Sequence, residues 1–331
     1  MTLAGRIHVA VAVLYNEHGE VLISRRHKSA HQGGLWEFPG GKVKYHEEVY
    51  EALSRELMEE LNITVQSARA LIQVPHDYID RRVLLDVWLV TRWTGTPSGM
   101  EGQKITWVSP KSLQNYSFPA ADIPIIMAIC LPDTYLITPE PDLNIDSFLE
   151  ILDQCLSSGI RLVQLRAKRL DNVTYEELAK KVLMRCNAKG AKCLLNANPL
   201  FAKRIGMNGV HLNSRQLLSI ESIRDQYQGN SFSRDGFLVG ASCHNRTELD
   251  HACRIGADFA TLSPIKPTKT HPDAKLISWD QFAALSQAST IPVYALGGMS
   301  KKDLRVVWEK GGQGIAAIRS LWLGIDCNRK Q

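Results

Sequence analysis

The 331-residue sequence lacks a long hydrophobic run. Its first apolar stretch, residues 9–15, is far shorter than the roughly 20 residues of a membrane-spanning helix. It also lacks the basic flank and small-residue cleavage site of a secretory signal. The seven cysteines include no C-x-x-C pair and no Cys/His cluster at zinc spacing. We therefore expect a cytoplasmic protein with reduced thiols, no membrane segment and no structural zinc.

A concentrated positive patch is also missing. The formal net charge of +5 comes mainly from the second half of the chain, where the basic residues form no stripe. This excludes a typical nucleic-acid-binding surface, and the excess charge suits either a phosphate-bearing small molecule or an ordinary solvated face. The content of 44% hydrophobic and 22% charged residues is that of a globular chain. The length favours two domains.

The first half combines an amphipathic helix with several strands. Apolar residues recur at intervals of three and four over residues 47–61, which predicts one helix there. Four strands and a second, short helix are predicted around it, at residues 8–15, 21–24, 82–92, 104–108 and 123–130. The first two strands flank a turn-forming segment, residues 16–19, so we expect them to pair as a hairpin.

The second half alternates short apolar strands with helical stretches. Eight strands are predicted, at residues 135–138, 162–165, 192–196, 209–212, 237–242, 259–263, 292–296 and 314–318. This near-even alternation predicts an α/β architecture that ends in a small (β/α)8 barrel. A doubly wound open sheet is the alternative, and the eight regular repeats count against it. The expected domains are residues 1–131 and 134–324.

Three carboxylates share one turn of the first-half helix. Glu56 and Glu60 are four residues apart, and Glu59 lies between them in sequence. Carboxylates at this spacing repel one another unless cations lie between them, which suits a complex of Mg²⁺ with a polyphosphate. A solvated acidic helix face is the alternative interpretation. The preceding Gly40 and Gly41 would let the backbone approach the metal and phosphates closely.

The wider spacing resembles the Nudix box, G-x₅-E-x₇-R-E-U-x-E-E-x-G-U, where U is a bulky aliphatic residue. The positions that match are Gly41, Glu47, Arg55, Glu56, Leu57, Glu59, Glu60 and Ile63. Asn62 replaces the second glycine of the pattern, at a position where a left-handed conformation is expected and Asn is tolerated. Over residues 5–130 the sequence is most similar to 8-oxo-dGTP diphosphatases of the MutT type.

This resemblance implies an α/β/α sandwich that hydrolyses a nucleoside triphosphate to the monophosphate and pyrophosphate. It implies a site for Mg²⁺, with Mn²⁺ as the alternative, made of Glu56, Glu59, Glu60 and the carbonyl of Gly40. Glu101 would add a ligand or act as the base, while Arg55 and Glu47 would brace the loops around the helix. The residues expected to contact the substrate are Arg25 at the phosphates or sugar, and Phe38, Arg81 and Asp122 at the base.

Asp122 departs from the MutT pattern, which has Asn at this position. An Asn amide accepts a hydrogen bond from the N7–H of 8-oxoguanine and donates one to O6, whereas an ionised Asp only accepts. A pKa raised by burial would restore the donor. We therefore expect oxidised purine nucleotides as substrates, in a range broader than 8-oxo-dGTP. A thiamine-related diphosphate is the alternative substrate.

Polar residues and glycines follow several strands of the second half, where (β/α)8 barrels carry their sites. They are Gln164, Arg166, Lys168, Asn196, Thr268, Lys269, Thr270, Gly297 and Gly298. Turn glycines and surface cations are the alternative interpretation. With their neighbouring segments they resemble thiamine phosphate synthase and its relative, the thiazole tautomerase, over residues 134–324.

Two aspartates that hold Mg²⁺ in that synthase are replaced here, by Ala197 and Gln216. Alanine cannot ligate a cation, and a neutral glutamine is a poor substitute for a carboxylate. We therefore expect no synthase activity. The barrel would bind a phosphorylated thiazole or pyrimidine, or would run a metal-free tautomerisation with His244 as the proton-transfer group.

Overall fold

The computed structural model describes residues 5–141, 144–223, 236–268 and 274–323. The chain divides into two compact units. The first contains residues 1–130 and 286–290, and the second contains residues 131–285 and 291–331. Within the described ranges, no helix is both long enough and apolar enough to cross a membrane. Lys269 and Thr270, two expected ligand residues of the barrel, lie outside the described residues.

The first unit has two sheets and two α-helices. Its elements are β1 (Ile7–Leu14), β2 (Val21–Arg25), β3 (Trp36–Glu37), β4 (Gly40–Lys42), α1 (Val49–Leu61), β5 (Thr64–Asp77), β6 (Arg82–Thr94), β7 (Ile105–Val108) and α2 (Ile123–Cys130). One sheet has the strand order β4-β1-β6-β5 and the other β3-β2-β7.

The expected hairpin of the first two strands is wrong. β1 pairs with β4 and, in parallel, with β6, whereas β2 pairs with β3 and β7. A single bridge between Tyr15 and Val21 is what remains of the expected pairing. The turn between the strands therefore passes the chain from one sheet to the other.

The strand β5 has no counterpart among the strands predicted from the sequence. This 14-residue strand pairs with β6 along its length, with register irregularities near Ser67 and between Ala70 and Ile72. Because a bulge shifts the side chains that follow it to the opposite face, it interrupts the alternation by which a strand is recognised in sequence.

The carboxylate helix α1 forms much as its periodicity predicts. The buried side chains of Leu53, Leu57 and Leu61 lie along one face, at the predicted spacing. Asn62 ends the helix in the left-handed conformation, with φ 56°, as expected for the residue in place of the family glycine. The face of α1 that carries Glu56 and Glu60 is thus held relative to the sheet by the buried leucines.

The second unit is a closed barrel of eight parallel strands, which confirms the predicted architecture. The strands are β8 (Thr134–Ile137), β9 (Leu162–Leu165), β10 (Lys192–Leu195), β11 (Gly209–Leu212), β12 (Leu238–Cys243), β13 (Phe259–Leu262), β14 (Val293–Leu296) and β15 (Gly314–Ala317). The described helices are α3 (Ile145–Ser157), α4 (Asn172–Ala188), α5 (Pro199–Arg204), α6 (Ser214–Ser219), α7 (Arg246–Ile255), α8 (Trp279–Gln287) and α9 (Leu304–Glu309).

The barrel interior contains an aromatic cluster. The ring of Tyr135 lies 5.3 Å from that of Phe259 and 5.8 Å from that of Tyr294. His211 contacts the cluster and is fully buried, with its Nδ1 3.2 Å from the Tyr135 hydroxyl and its Nε2 3.0 Å from Ser242 Oγ. Burial lowers the pKa of His211 to about 3, so the imidazole is neutral. The barrel is a packed core, and a ligand would bind at the ends of its strands.

Candidate active site

Arg55 joins the loop before α1 to the carboxylates of the helix. Its Nε and Nη2 donate to the two carboxylate oxygens of Glu47 at 2.7 and 2.8 Å. Its Nη1 donates to Glu56 at 2.7 Å and to Glu59 at 3.2 Å. The hydrogen bonds from Arg55 and from the backbone N–H of Lys44 lower the pKa of Glu47 to about 2. Glu47 and Arg55 therefore connect the loop before α1 to the helix.

Glu60 lies at the Gly-rich loop. Its Oε2 accepts a hydrogen bond of 3.1 Å from the backbone N–H of Gly40. Burial raises the pKa of Glu60 to about 8 despite this bond, and the charges of Glu37, Glu56 and Glu101 raise it further. These carboxylates crowd one place on the molecule. A cation bound there would stabilise their ionised forms.

The glycine at position 41 makes room for Glu56. A Cβ built on Gly41 would lie only 2.2 Å from the carboxyl carbon of Glu56, so a larger residue here would displace that side chain. The donors gathered near the loop are all oxygens, the kind that Mg²⁺ and Mn²⁺ prefer. Within the described residues, no three His, Cys, Asp or Glu side chains are arranged to hold a metal. Glu56 and Glu59 are paired with Arg55 instead. The chemical type of these donors, all oxygens, therefore suits a divalent cation.

A cavity of about 290 Å³ opens beside this loop. Phe38, Arg81 and Asp122, three of the residues expected at the base, line it together with Glu60. The ring of Phe38 stacks on Phe118 at 5.5 Å, which gives the cavity a rigid apolar wall. The cavity therefore combines an apolar wall with a few polar groups, as small-molecule sites do.

Arg25, expected at the phosphates or sugar, and its neighbour Arg26 differ in their position relative to the cavity. Arg25 does not line the cavity, and its Nε donates to the carbonyl of Gly34 at 3.1 Å. Arg26 lines the cavity, forms an ion pair with Glu37 and donates from Nε to the carbonyl of His31 at 2.8 Å. Neighbouring residues at a strand end point to opposite sides, so the assignment depends on which face of β2 is toward the cavity.

Asp122 is buried and lines the cavity. The residue is 6% exposed, and its side chain forms no hydrogen bond with any residue that the structure describes. Burial raises its pKa to about 8, and the charge of Glu37 contributes to the rise, against the opposing charge of Arg26. Asp122 is therefore mostly neutral at pH 7. A neutral carboxyl group can donate one hydrogen bond and accept another, as an Asn amide does.

Sequence reasoning missed several residues of the cavity. Glu37 lines it, and burial raises its pKa to about 7 against the opposing effect of Arg26. Tyr78 and His31 also line the cavity, and their ring centroids lie 5.0 Å apart in an edge-to-face arrangement. His31 Nε2 also lies 3.4 Å from Asp80 Oδ1. The sequence carried no signal for these residues, because they come from three separate segments with no shared motif.

The barrel brings several expected residues to the carboxyl ends of its strands. Gln164 is buried on β9, and the backbone N–H of Arg166 donates to the Thr138 hydroxyl at 3.0 Å. Asn196 Nδ2 donates to the carbonyl of His211 at 3.3 Å. Lys168 is exposed on the loop that follows β9. These groups come from neighbouring strands, whose ends meet at one edge of a parallel barrel.

The loop after β14 packs tightly against the segment after β13. Gly297 and Gly298 have φ angles of 100° and 63°, and a Cβ on Gly298 would lie 2.8 Å from the Cβ of Lys266. Glycine is therefore required at this approach. His244 Nδ1 lies 2.8 Å from the carbonyl of Ser263, so the Nδ1–H tautomer donates there and leaves Nε2 as an acceptor. Thr268 belongs to the described part of this segment.

Gln216 has a structural role at the position of the missing second aspartate. Its Oε1 accepts from the backbone N–H of Asn213 at 3.1 Å, and its own N–H donates to Asn213 Oδ1 at 3.0 Å. This reciprocal pair caps the N-terminus of α6. Ala197, at the first missing aspartate, packs against the apolar core. Neither residue offers a carboxylate to a cation.

Two family models match the chain, one in each unit. Residues 134–321 match the model described as thiamine monophosphate synthase. Residues 10–128 match the model described as NUDIX domain.

Curated relatives divide in the same way. A putative thiamine-phosphate synthase 2 of Aquifex aeolicus is 37% identical over 57% of this chain and 96% of its own length. The 8-oxo-dGTP diphosphatase of Escherichia coli is 40% identical over 37% of this chain and 94% of its own length. That of Proteus vulgaris is 43% identical over 27% of this chain and 79% of its own length.

The first unit matches hydrolases, and the second is a closed parallel barrel that matches synthases. The chain belongs to the Nudix hydrolases through its first unit and to the thiamine monophosphate synthase family through its second.

Proposed function

We propose that the first unit is a Mg²⁺-dependent pyrophosphohydrolase that converts oxidised purine nucleoside triphosphates, such as 8-oxo-dGTP, to the monophosphate and pyrophosphate. The observation that carries this proposal is Asp122, a buried and mostly neutral acid that lines a cavity beside the carboxylates of α1. The sequence relatives support the substrate class, since two of them are named 8-oxo-dGTP diphosphatases. The two halves would act as separate domains, residues 1–131 and 134–324.

Glu56, Glu59, Glu60 and the carbonyl of Gly40 would hold the divalent ions, with Glu101 as a further ligand or as the base. When bound, Mg²⁺ would lower the pKa of an attacking water and neutralise charge on the phosphate oxygens. Arg55, released in part from Glu56 and Glu59, would remain bound to Glu47 and keep the loop against the helix. The cavity would orient the triphosphate by holding its base.

Asp122 would read the base by donating to O6 and accepting from the N7–H that 8-oxoguanine has and guanine lacks. Unmodified guanine presents acceptors at both N7 and O6, so one of them would face a carboxyl oxygen without a proton. Phe38 and Tyr78 would enclose the ring, and Arg81 would close the cavity. This arrangement favours the oxidised base over the normal one.

A product assay on the full chain tests the proposal. We would incubate 8-oxo-dGTP, 2-oxo-dATP, dGTP and thiamine diphosphate with Mg²⁺ and quantify pyrophosphate and inorganic phosphate separately. We expect pyrophosphate with 8-oxo-dGTP and much less with dGTP, and almost none from Glu56→Gln. Release of orthophosphate in place of pyrophosphate, or a preference for thiamine diphosphate, would refute the assignment.

For the barrel we propose binding of a phosphorylated thiazole or pyrimidine without the synthase reaction. The supporting observation is that Gln216 caps α6 and Ala197 packs in the core, while the glycine-rich loop after β14 is retained. His244, whose Nδ1–H donates to Ser263 and leaves Nε2 as the acceptor, would make tautomerisation of a thiazole phosphate the accompanying chemistry. Calorimetric titration of the full chain with thiazole phosphate tests binding. Absence of heat at millimolar ligand would contradict it.

A further inference from the structure

The Oε1 atom of Glu37, a residue that lines the cavity, has no role in the proposed function. Glu37 comes from the short strand β3 and lines the same cavity as Asp122. Its Oε2 pairs with Arg26, and its Oε1 accepts no hydrogen bond from the residues that the structure describes. The Glu37 side chain is 27% exposed. A half-buried acceptor with a fixed partner on one side and an open cavity on the other is suited to a ligand that donates.

We propose that Glu37 is a second base-reading residue, whose free oxygen accepts hydrogen bonds from the N1–H and 2-amino group of a guanine-type base. This inference rests on the proposed function and extends it, because it names the purine class. Asp122 would take the N7 and O6 edge, and Glu37 would take the edge that carries N1 and N2. The site would then select guanine-type over hypoxanthine- and adenine-type bases.

The chemistry of the two edges matches the two carboxyl groups. The N1–H and 2-amino group are both donors, so they need a group that only accepts, which an ionised carboxylate is. Hypoxanthine lacks the amino group, and adenine presents a bare ring nitrogen at N1 that would face negative charge. Arg26 supports the ionised form of Glu37 through its ion pair.

The charge distribution agrees with this division. The two groups influence each other, since the charge of Glu37 raises the pKa of Asp122. An ionised Glu37 therefore favours the protonated form of Asp122. Asp122 then has the hydrogen that O6 requires, and Glu37 has the charge that the N1 and N2 donors require.

Glu37 has a competing role to be distinguished, because its charge also acts on Glu60 at the proposed metal site. A residue that acted only there would affect all nucleotides equally, whatever their base. A residue that reads the base would affect those with a 2-amino group and leave the others nearly unchanged. Base selectivity therefore separates the two roles.

The experiment compares 8-oxo-dGTP with 8-oxo-dITP, which differs only by the missing 2-amino group. For wild type we expect kcat/KM to favour 8-oxo-dGTP by about 10- to 100-fold, as for loss of a buried hydrogen bond to a charged group. In Glu37→Ala the ratio should fall to within about threefold of unity. In Glu37→Gln it should lie between the Glu37→Ala and wild-type values. Glu17→Gln, an exposed residue of the same unit, serves as the control and should keep the wild-type ratio.

Each outcome has one meaning. An equal loss on both substrates in the Glu37 variants, with a raised Mg²⁺ requirement, would place Glu37 at the metal and overturn the inference. Equal use of both substrates by wild type would also overturn it, while leaving the proposed function intact. If wild type hydrolysed neither substrate, the proposed function itself would fail. Thermal unfolding of each variant identifies one that fails to fold, and the Gln variant, which keeps the size of the side chain, then decides.

Discussion

Arg55 and Glu47 are joined by two parallel hydrogen bonds, from Nε to Oε1 at 2.7 Å and from Nη2 to Oε2 at 2.8 Å. The same guanidinium donates from Nη1 to Glu56 at 2.7 Å and from Nη2 to the carbonyl of Lys42 at 3.1 Å. One side chain therefore ties the loop before α1 to both β4 and the carboxylates of the helix. Its planar fork, which a lysine cannot reproduce, allows these contacts to form together.

We expect Arg55→Lys to lower kcat/KM for the nucleotide about 10- to 100-fold, as loss of a residue that orients ligands does. The variant should bind Mg²⁺ more weakly and unfold at nearly the same temperature. Arg305→Lys is the matched control, since Arg305 forms an exposed ion pair with Glu309 in the barrel. Activity of Arg55→Lys equal to that of the control would contradict a bracing role.

Glu60→Gln removes the negative charge of Glu60, the residue whose side chain accepts a hydrogen bond from Gly40. Glutamine can still accept the hydrogen bond from the Gly40 N–H, so the loop should keep its place while the site loses one negative oxygen. We expect kcat to fall by about 100-fold or more, in line with the loss of one preorganised electrostatic group. Glu150→Gln, exposed on α3, is the control. Mg²⁺ titrations of activity measure the effect, and an unchanged half-saturation with full activity would disprove the metal assignment.

The proton on Asp122 gives a pH-dependent selectivity. Its pKa is raised to about 8, so the group is neutral in the folded protein below that pH and ionised above it. The ratio of wild-type kcat/KM to that of Asp122→Asn, measured on 8-oxo-dGTP, should be flat below pH 7. Above pH 8 it should fall, approaching about tenfold per pH unit as one proton is lost. A ratio that stays constant from pH 6 to 9 would mean that the proton on Asp122 has no part in base recognition.

Asp122 should also make stability depend on pH. Because its folded pKa lies above the unfolded value, the neutral form contributes stability at low pH that is lost as the pH rises toward 8. Asp122→Asn, which never ionises, should therefore gain thermal stability relative to wild type between pH 6 and pH 9. Parallel melting curves at the two pH values check this. A difference in melting temperature that does not change with pH would contradict it.

His211 should make stability depend on pH in the opposite direction to Asp122. Burial lowers its pKa to about 3, below the unfolded value, so the neutral imidazole contributes stability above pH 6.5 that is lost as the pH falls. We expect the urea midpoint of wild type to fall more steeply between pH 7 and pH 4 than that of His211→Gln. The two proteins should differ most at pH 7. Parallel pH profiles would show that His211 is not the group responsible.

Gln216→Ala tests the capping role in the barrel. Loss of the reciprocal pair with Asn213 should cost about 0.5–1 kcal/mol of stability, measured by urea unfolding. Affinity for thiazole phosphate should be unchanged, because the Gln216 side chain is turned to the helix backbone. Gln154→Ala, exposed on α3, is the control. A loss of ligand affinity without loss of stability would place Gln216 in the binding site instead.

The sequence was sufficient for the barrel and for the carboxylate helix. Four-residue apolar strands at even spacing and the run of buried leucines in α1 are local patterns, and each element was predicted to within a few residues. β5 was missed because bulges interrupt its alternation. The expected β1–β2 hairpin failed because pairing between distant strands, β1 with β6, outweighs the turn between neighbours.

The residues of the candidate site also fall into two groups, those that the sequence predicts and those that only the tertiary structure brings together. Glu47, Arg55, Glu56, Glu59 and Glu60 belong to one motif, so their proximity follows from the helix itself. The cavity is assembled from β1, β3, β4, β6, the loop after β2, the β5–β6 turn and the segment before α2. Without the tertiary structure, nothing distinguishes Arg26 from Arg25 or shows that Glu37 and Asp122 face the same space.

The measurement that bears most directly on the central claim is the ratio of kcat/KM for 8-oxo-dGTP to that for dGTP, determined for wild type and Asp122→Ala with saturating Mg²⁺. We expect wild type to favour the oxidised nucleotide by at least about 100-fold, which is the discrimination a single well-placed pair of buried hydrogen bonds can supply. Asp122→Ala should lose most of that preference. A wild-type ratio near unity would contradict the claim that this cavity recognises oxidised purines.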